Sequence, residues 1–281
     1  MTSTNPFLDS GRQTEFYGDA SRLASRSNAL MRAKTSGGPV PETIVGLVRH
    51  HHERPNRLGL VLDLGCGRGT SSLTLAQELW PRRVVGLDAA PALIEYARHR
   101  ARRLPGLPVS FVQGDFHCLP VPAASCDIVV AAFCLYHSPR PQAVVAEIDR
   151  ALAPGGVAVF VTKGLDSYRE MDQLVAAAGL DLRAEQRESL YISVHSGNLA
   201  AVAAESLDVL VVEHEEHSFT FDGHDHLAEY LATNPKYDLV PGLYGNAGSL
   251  AATLHEVLPD RPLTTKSLVT FVVAQARGGQ Q

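Results

Sequence analysis

The fold of this chain is decided by the stretch Val61-Leu62-Asp63-Leu64-Gly65-Cys66-Gly67-Arg68-Gly69. Residues 60–64 are a short run without polar alternation, which is typical of a central strand buried on both faces of a parallel sheet. Glycines at alternate positions follow, and glycine tolerates the positive φ of a sharp turn and lets the backbone approach a ligand. Residues 70–79 have a helical pattern. The sequence therefore predicts a strand, a glycine turn and a helix.

The spacing of the glycines indicates the ligand of the turn. A dinucleotide-binding turn has the pattern G-x-G-x-x-G, which directs a helix N-terminus at a pyrophosphate. Here the third glycine comes one residue earlier, and Asp63 precedes the turn. A carboxylate there would repel a phosphate but could hold an ammonium group, directly or through water. A ligand with an amine is favoured; a nicotinamide or flavin site and a turn without a ligand are the alternatives.

The same residues resemble a known motif. The pattern D-x-G-x-G-x-G is filled by Asp63, Gly65, Gly67 and Gly69, and it resembles motif I of the class I methyltransferases that bind S-adenosylmethionine. The resemblance continues in order and spacing over roughly residues 58–163. It includes a Pro-Gly-Gly turn that is similar to the L-x-P-G-G signature of the type 11 subgroup. It implies S-adenosylmethionine as the cofactor and methyl transfer as the reaction.

The resemblance also implies the architecture. We expect an α/β, Rossmann-like class I methyltransferase fold, with a seven-stranded, mostly parallel sheet, helices on both faces and a helical cap. Residues 1–57 are predicted to form an N-terminal helical cap segment. Residues 58–281 are predicted to form the S-adenosylmethionine-binding domain, with cap insertions at about 163–204 and 222–262. A chain of 281 residues with 45% hydrophobic residues suffices for one core and a cap over an organic substrate.

Two acids at the ends of the next predicted strands are further candidates for cofactor binding. Asp88 is placed to accept the ribose hydroxyls, and it could also be the N-cap of the helix that follows. By the resemblance, Asp115 would accept the adenine amino group and Phe116 would flank the ring. A turn that closes the strand is the alternative for Asp115. The resemblance assigns further cofactor contacts to Cys66, Ala89 and Phe133.

Residues outside the predicted core are candidates for covering the site. Tyr17 is the aromatic residue of the N-terminal segment expected against the methionine end of the cofactor. The alternative is a surface helix packed by Phe16 and neighbouring leucines. For the substrate, the candidates are Tyr136, His195 and Tyr237.

His137 is the candidate catalytic residue. A sulfonium is already activated, so a methyltransferase can act by positioning its reactants and excluding water. If the acceptor is a hydroxyl or an acidic carbon, a base helps, and imidazole titrates in the right range. His137 lies in the loop after the fourth predicted strand, which in this family runs beside the methyl group. The alternative is that His137 caps the helix beginning near Pro141.

The charge and composition of the chain argue against some classes of binding partner. The net charge is −5, and residues 188–229 contain no Lys or Arg, which argues against nucleic acid as a partner. The arginines at 98–103 are interpreted as a solvated helix face. Four cysteines form no C-x-x-C pair, so we expect reduced thiols in a cytoplasmic protein. The sequence has no leader of basic then apolar residues and no apolar run of about 20 residues, so no membrane partner is expected.

The histidines do not form a metal motif. His214, His217, His224 and His226 lie in an acidic stretch, and His214 and His217 would face opposite sides of a strand. No H-E-x-x-H or C-x-x-C pattern accompanies them. We therefore expect surface histidines and no metal.

The sequence as a whole predicts an S-adenosylmethionine-dependent methyltransferase acting on a small organic acceptor, such as a bacterial secondary metabolite. The alternatives are methylation of a nucleic acid or protein by the same core and a non-catalytic S-adenosylmethionine-binding protein. Whether oxygen, nitrogen or carbon is methylated, and the oligomeric state, are not indicated.

Overall fold

The computed structural model describes residues 5–277. In these residues the α-helices are α1 (Ser10–Tyr17), α2 (Ala20–Ala33), α3 (Val40–His51), α4 (Thr70–Leu79), α5 (Pro91–Arg102), α6 (Pro141–Ala151), α7 (Arg169–Ala177), α8 (Leu199–Ala204), α9 (His224–Leu231) and α10 (Ala247–Val257). The strands are β1 (Lys34–Ser36), β2 (Leu60–Leu64), β3 (Arg83–Asp88), β4 (Val109–Gln113), β5 (Cys126–Ala132), β6 (Leu152–Lys163), β7 (Leu207–Phe221) and β8 (Leu263–Ala276).

The strands form one sheet in the order β1-β7-β8-β6-β5-β2-β3-β4. β2 pairs in parallel with β3 and β5, β3 with β4, and β5 with β6. β8 pairs antiparallel with β6, and β1 pairs antiparallel with β7. The predicted Rossmann-like α/β fold is confirmed. The sheet has eight strands among the described residues rather than seven, because Lys34–Ser36, expected within the helical cap, pairs with β7.

β2 occupies the position predicted for the central strand. Val61, Leu62 and Leu64 are completely buried, since β3 and β5 flank the strand and helices cover its faces. The chain leaves β2 through α4 to reach β3 on one side, whereas β5 lies on the other side. In an open parallel sheet, ligands bind outside the carboxyl end of the strand at such a reversal of strand order. The turn after Leu64 lies at this point.

The chain divides into two compact units. The sheet unit comprises Gly38–Lys163, Ser193–His214 and the described residues from Val269 onward. The helical unit comprises the described residues up to Gly37, Gly164–Ile192 and Glu215–Leu268. Both insertions and an N-terminal segment were expected, with different bounds. The largest difference is that α3 belongs to the sheet unit, because its apolar face packs in the same cluster as β2 and α4.

The helical unit has a hydrophobic core of its own. Met171 of α7, Leu231 of α9 and Leu254 of α10 are fully buried in it. Phe219 and Phe221 of β7 are also buried there, as their alternation predicted.

Two histidines expected at the surface are buried instead. The exposed fraction is 2% for both His217 and His224. His217 has the same parity as Phe219 and Phe221, and residues two apart on a strand face the same side, so it points with them to the core. His214 has the opposite parity and is exposed, as predicted. None of the helices in the described residues combines the length and the apolar composition needed to cross a bilayer.

Candidate functional site

The glycine turn has the backbone that its sequence predicts. Gly65, Gly67 and Gly69 have φ values of 58°, 53° and 75°. A Cβ on Gly65 would lie 2.4 Å from Cβ of Cys134, and one on Gly69 would lie 2.7 Å from the ring of Phe111. These two glycines allow close packing. A Cβ on Gly67 would meet no described atom within 4 Å, so the open face of the turn is at Gly67.

Asp88 fixes the turn to the end of β3. Its Oδ2 accepts a hydrogen bond from the Gly67 N–H at 2.8 Å, and its Oδ1 accepts one from the Ala90 N–H at 2.9 Å. Burial raises the pKa of Asp88 although these hydrogen bonds act to lower it. The interpretation of Asp88 as a helix N-cap is wrong: the N-cap of α5 is Ala90, because Pro91 is the first helical residue. Cofactor contacts of Asp88 and of Ala89 stay predictions.

Arg100 also fixes the turn, and no pattern in the sequence predicts this contact. Its Nη1 donates to the carbonyl oxygen of Arg68 and to the hydroxyl of Thr70, both at 2.8 Å. Arg98 donates to the carbonyl oxygen of Phe111 at 2.9 Å. The interpretation of these two arginines as part of a merely solvated face is therefore wrong. Charge patterning along α5 cannot reveal these contacts, because their acceptors are uncharged atoms of other segments.

Asp63 is buried rather than open to a ligand. Its exposed fraction is 1%, and its Oδ2 accepts a 2.5 Å hydrogen bond from the Ser72 hydroxyl of α4. Burial raises the pKa of Asp63 to about 7, although the Ser72 hydrogen bond acts to lower it. Burial likewise raises the pKa of the thiols of Cys66 and Cys134, which keeps them neutral. The carboxyl group joins β2 to the first turn of α4, and its contact with an ammonium group stays a prediction.

Asp115, at the end of β4, belongs to a chain of side chains that the sequence analysis missed. Its Oδ1 accepts from the His117 backbone N–H at 2.9 Å and lies 2.7 Å from His117 Nδ1. The other ring nitrogen of His117 lies 2.8 Å from the Ser138 hydroxyl. Partial burial acts to raise the pKa of Asp115, but the hydrogen bonds from His117 outweigh it and lower the pKa. Asp115 therefore makes the turn that was the alternative, and it does so as a charged, 66% exposed side chain that can still bind a ligand.

The segment containing His195 is attached to the same edge of the sheet unit. Ser193 Oγ donates to the Ser138 carbonyl oxygen at 2.8 Å, and Thr162 Oγ1 donates to the Val194 carbonyl oxygen at 2.8 Å. His195 Nδ1 accepts the Gly197 N–H at 3.1 Å. Partial burial lowers the pKa of His195, which favours the neutral form of its ring. A neutral imidazole can accept a proton or a hydrogen bond, which is compatible with the predicted substrate contact.

The loop after β5 carries three of the predicted site residues. Phe133 has a φ of 56°, an unfavourable conformation for a residue with a side chain, and such strain concentrates at functional sites. The Lys163 ammonium lies 5.2 Å from the centre of its ring. Tyr136 is buried, whereas His137 is partly exposed, and their ring centres are 4.8 Å apart. The capping alternative for His137 is wrong, because α6 has Arg140 as its N-cap and no side-chain capping bond.

Two predicted site residues lie in the helical unit. Tyr17 ends α1 and is partly buried, beside the buried Phe16 that packs this helix. Tyr237 is 4% exposed, and its hydroxyl donates to Asp172 at 2.8 Å. Asp172 also accepts a hydrogen bond from the Lys236 ammonium at 2.5 Å. Asp172 and Lys236 line a cleft of about 270 Å³. The assignments of Tyr17 to the cofactor and of Tyr237 to the substrate stay predictions.

The residues at the carboxyl edge of the sheet unit fit the amine-bearing nucleoside that the sequence predicts. Gly67 leaves an open backbone surface, and the charged Asp115 is available to a hydrogen-bond donor. Both follow the ends of parallel strands, β2 and β4, and therefore lie on one edge. A ligand that extends along this edge passes Asp88, at the end of β3 between them.

The buried Asp63 predicts a pH-dependent stability. Its pKa is about 7 in the folded chain and 3.8 without burial, so between these pH values the folded chain holds a proton that the unfolded chain releases. Its contribution to the free energy of unfolding is therefore greatest at low pH and is lost as the pH rises through this range. We expect Asp63→Asn to gain stability relative to wild type from about pH 5 to about pH 8. Urea denaturation followed by circular dichroism measures this.

Ser72→Ala is the matched variant for this experiment. The Ser72 hydroxyl stabilises the charged carboxylate, so its removal should make the loss of stability with rising pH steeper. A stability difference between Asp63→Asn and wild type that is the same at both pH values would contradict the assignment.

Comparison with known proteins identifies the central part of the sheet unit. The profile of a family described as a methyltransferase domain matches residues 61–156. Among solved structures, the YcgJ protein from Bacillus subtilis is similar with a TM-score of 0.55 and 18% identity, covering 84% of this chain and 100% of that chain. The [4+2]-cyclase SpnF is similar with a TM-score of 0.52 and 20% identity, covering 84% and 81%. These two likenesses show the fold, and a fold does not determine a reaction.

Curated relatives match over less than half of the chain. A sterol 24-C-methyltransferase from Eremothecium gossypii is 38% identical over 133 residues, 45% of this chain and 35% of that protein. A malonyl-[acyl-carrier protein] O-methyltransferase from Paenibacillus sp. is 31% identical over 119 residues, 41% of this chain and 43% of that protein. A demethylmenaquinone methyltransferase from Tropheryma whipplei is 34% identical over 96 residues, which are 34% of this chain and 38% of that protein. The chain thus spans less than half the length of each of these relatives.

The profile match begins in β2, includes the complete D-x-G-x-G-x-G turn, and ends in β6. The left-handed glycines and the parallel strand order agree with it. Residues 61–156 of this chain therefore match a methyltransferase domain, and the glycine turn that resembles motif I lies within the matched residues.

Proposed function

We propose that this protein transfers the methyl group of S-adenosylmethionine to a small organic metabolite. The observation that carries the proposal is the open, left-handed backbone at Gly67, held by Asp88 at the carboxyl end of the central strand. When bound, S-adenosylmethionine supplies a methyl group on a sulfonium, which a nucleophile can displace without further activation.

Residues at the ends of three strands of the sheet unit, β2, β3 and β4, each bind a different part of the cofactor. The turn after β2 accommodates the amino-acid portion, because Gly67 presents backbone with no side chain in the way. Asp88 accepts the ribose hydroxyls with the lone pairs that its two backbone hydrogen bonds leave. Asp115 accepts the adenine amino group, since His117 keeps its carboxylate charged and oriented. Cys66, Ala89 and Phe116 flank these groups.

A small acceptor is favoured over a polymer by charge. Net charge is −5, and the long stretch 188–229, which supplies part of both units, has acids and histidines but no Lys or Arg. Nucleic-acid binding gains most of its strength from cations that neutralise phosphates. The names of two relatives also specify small acceptors, a sterol and demethylmenaquinone, although a third acts on a malonyl group carried by a protein.

Proton removal from the acceptor is assigned to His137. It follows Phe133 and Tyr136 in the loop after β5, and it does not cap α6. The residue is partly exposed although its ring Nδ1 is buried, so an acceptor would approach the ring at Nε2. His195, with a neutral ring attached beside Ser138 and β6, is assigned to acceptor binding.

The proposal is tested with methyl-labelled S-adenosylmethionine. Purified protein is incubated with the labelled cofactor and a bacterial extract, and the products are separated by size. We expect label in the small-molecule fraction with the wild type. We expect none with Gly67→Asp, because the aspartate side chain fills the open surface of the turn at residue 67. Label in nucleic acid or protein instead would support the polymer alternative. Binding of the cofactor without any labelled product would support the non-catalytic alternative.

His117 is expected to act on the cofactor through Asp115. Replacement by Ala removes the ring contact that orients the carboxylate and keeps the backbone hydrogen bond, so we expect the Kd for S-adenosylhomocysteine to rise about fivefold, the equivalent of about 1 kcal/mol. Isothermal titration calorimetry measures it, with the exposed His99→Ala of α5 as the control. If His117 acts only through Asp115, the double variant with Asp115→Asn binds no more weakly than Asp115→Asn alone. Additive losses would show that His117 acts independently.

The role of His137 is tested on the product of the labelled reaction. We expect His137→Ala to lower kcat by about 100-fold or more, because general base catalysis contributes at least that much. The acidic limb of the pH–rate profile should disappear with it, while the Kd for S-adenosylhomocysteine stays within twofold or so of wild type. A fall in kcat of less than about tenfold with an unchanged pH profile would mean that positioning alone drives the transfer.

A further inference from the structure

The helical unit contains a group of chemically suitable ligands that the proposed methyl transfer does not use. His224 is the first residue of α9, His255 lies in the last turn of α10, and Asp260 follows α10. One ligand atom from each residue lies within 4.8 Å of the others. His224 Nδ1 is 3.9 Å from Asp260 Oδ1, and His255 Nδ1 is 3.7 Å from Asp260 Oδ2.

The buried histidine of this group has a nitrogen that no described residue satisfies. The side chain of His224 is 2% exposed, and within residues 5–277 its Nδ1 has no hydrogen-bond partner. A buried polar atom without a partner loses the hydrogen bond that water would provide, so such atoms are rare in native proteins. The nitrogen is directed towards Asp260 at a distance too long for a hydrogen bond.

The separations match a metal site better than a hydrogen-bonded cluster. Ligand atoms about 2.0–2.2 Å from a tetrahedral ion are about 3.3–3.6 Å from one another. The observed 3.7 Å and 3.9 Å, which are measured to different oxygens of Asp260, exceed this by a few tenths of an ångström, and one ligand atom from each of the three residues lies within 4.8 Å of the others. Asp260 is already oriented, because its Oδ1 also accepts the His224 backbone N–H at 2.9 Å. The close approach of Asp260 to this backbone is possible because Gly223 has no Cβ; one there would lie 2.8 Å from Oδ1.

We propose that His224, His255 and Asp260 bind one divalent transition-metal ion, with Zn²⁺ as the best match. Two imidazoles and one carboxylate suit zinc and the neighbouring first-row ions rather than Mg²⁺ or Ca²⁺, which prefer oxygen ligands. The ion can enter from solvent, since His255 and Asp260 are 41% and 48% exposed. The remaining coordination position is left to water.

Asp225 is a positioning residue for this site. Its Oδ1 is 3.7 Å from His255 Nε2, on the opposite side of the ring from the nitrogen that faces Asp260. Carboxylates in this position orient metal-binding imidazoles and make them more basic. Asp225 is 87% exposed, so its effect should be smaller than that of the three ligands.

The ion would link the beginning of α9 to the end of α10 and the segment after it. This link joins two helices of the hydrophobic core of the helical unit at a place where that core ends in polar side chains. The role is therefore structural, and it goes beyond the proposed methyl transfer and does not depend on it. It differs from the expectation of no metal that the sequence supported, because the proposed ligands come from separate elements that only the fold brings together.

The test is titration of the full-length protein with ZnCl₂ in a calorimeter, after removal of bound metal with a chelator. The background carries His50→Ala, His51→Ala and His52→Ala, so that the three consecutive histidines of the sheet unit cannot bind the ion. We expect one Zn²⁺ per chain and a rise in Tm when it binds. His255→Ala and Asp260→Asn should each weaken binding by at least about tenfold. Both replace partly exposed side chains, so they should leave the fold intact.

Two further variants make the test specific. His99→Ala, an exposed histidine outside the group, should bind Zn²⁺ as the background does, and Asp225→Asn should lose less affinity than either ligand variant. Co²⁺ in place of Zn²⁺ should give visible absorption bands of a tetrahedral ion, and these should be absent in His255→Ala. The proposal is overturned if the background binds no Zn²⁺ stoichiometrically, or if binding is unchanged in both His255→Ala and Asp260→Asn. In either case the four side chains are a cluster of His–Asp ion pairs only.

Discussion

The hydrogen bond from the Gly67 N–H to Asp88 is the interaction on which the site depends. It joins the turn after the central strand to the end of the neighbouring strand, and it holds Gly67 in the left-handed region with its open side uncovered. Gly65 and Gly69 bring the turn against Cys134 and Phe111, where no side chain would fit. The glycine turn thus requires three glycines for two different reasons. Gly65 and Gly69 allow close packing, and Gly67 leaves access for a ligand.

The rest of the site is assembled by parallel pairing. Because β2, β3, β4 and β5 are parallel, their carboxyl ends and the loops after them share one edge of the sheet. Hydrogen bonds then connect these loops across long sequence distances. His117 lies between Asp115 and Ser138, and Ser138 in turn holds the segment before His195. The side chain of Ser138 contacts His117 and its backbone carbonyl accepts from Ser193, so this one residue links the end of β4 to the later segment, although neither is near it in sequence.

The helical unit is stabilised by a hydrophobic core of its own. Its core is formed by α2, α7, α9 and α10 with the inward face of β7, and its buried polar groups are largely paired, as Asp172 is with Lys236 and Tyr237. His224 is an exception among the described residues of the helical unit, since its buried Nδ1 has no hydrogen-bond partner there. That exception, together with two partly exposed ligands at suitable distances, is the physical basis for the proposed ion.

The sequence by itself determined the strand, turn and helix at residues 60–79, the family resemblance and the Rossmann-like fold, because glycine spacing and apolar runs are local signals of backbone conformation. Strand parity also predicted the burial of Phe219 and Phe221, and the same rule, applied to His217, would have predicted its burial. Only the tertiary structure decided that Asp63 is buried beside Ser72, that Arg100 braces the turn, that His117 orients Asp115, and that His224, His255 and Asp260 meet. These contacts join residues of different elements, and no periodicity along one segment records which atoms of another segment will lie against it.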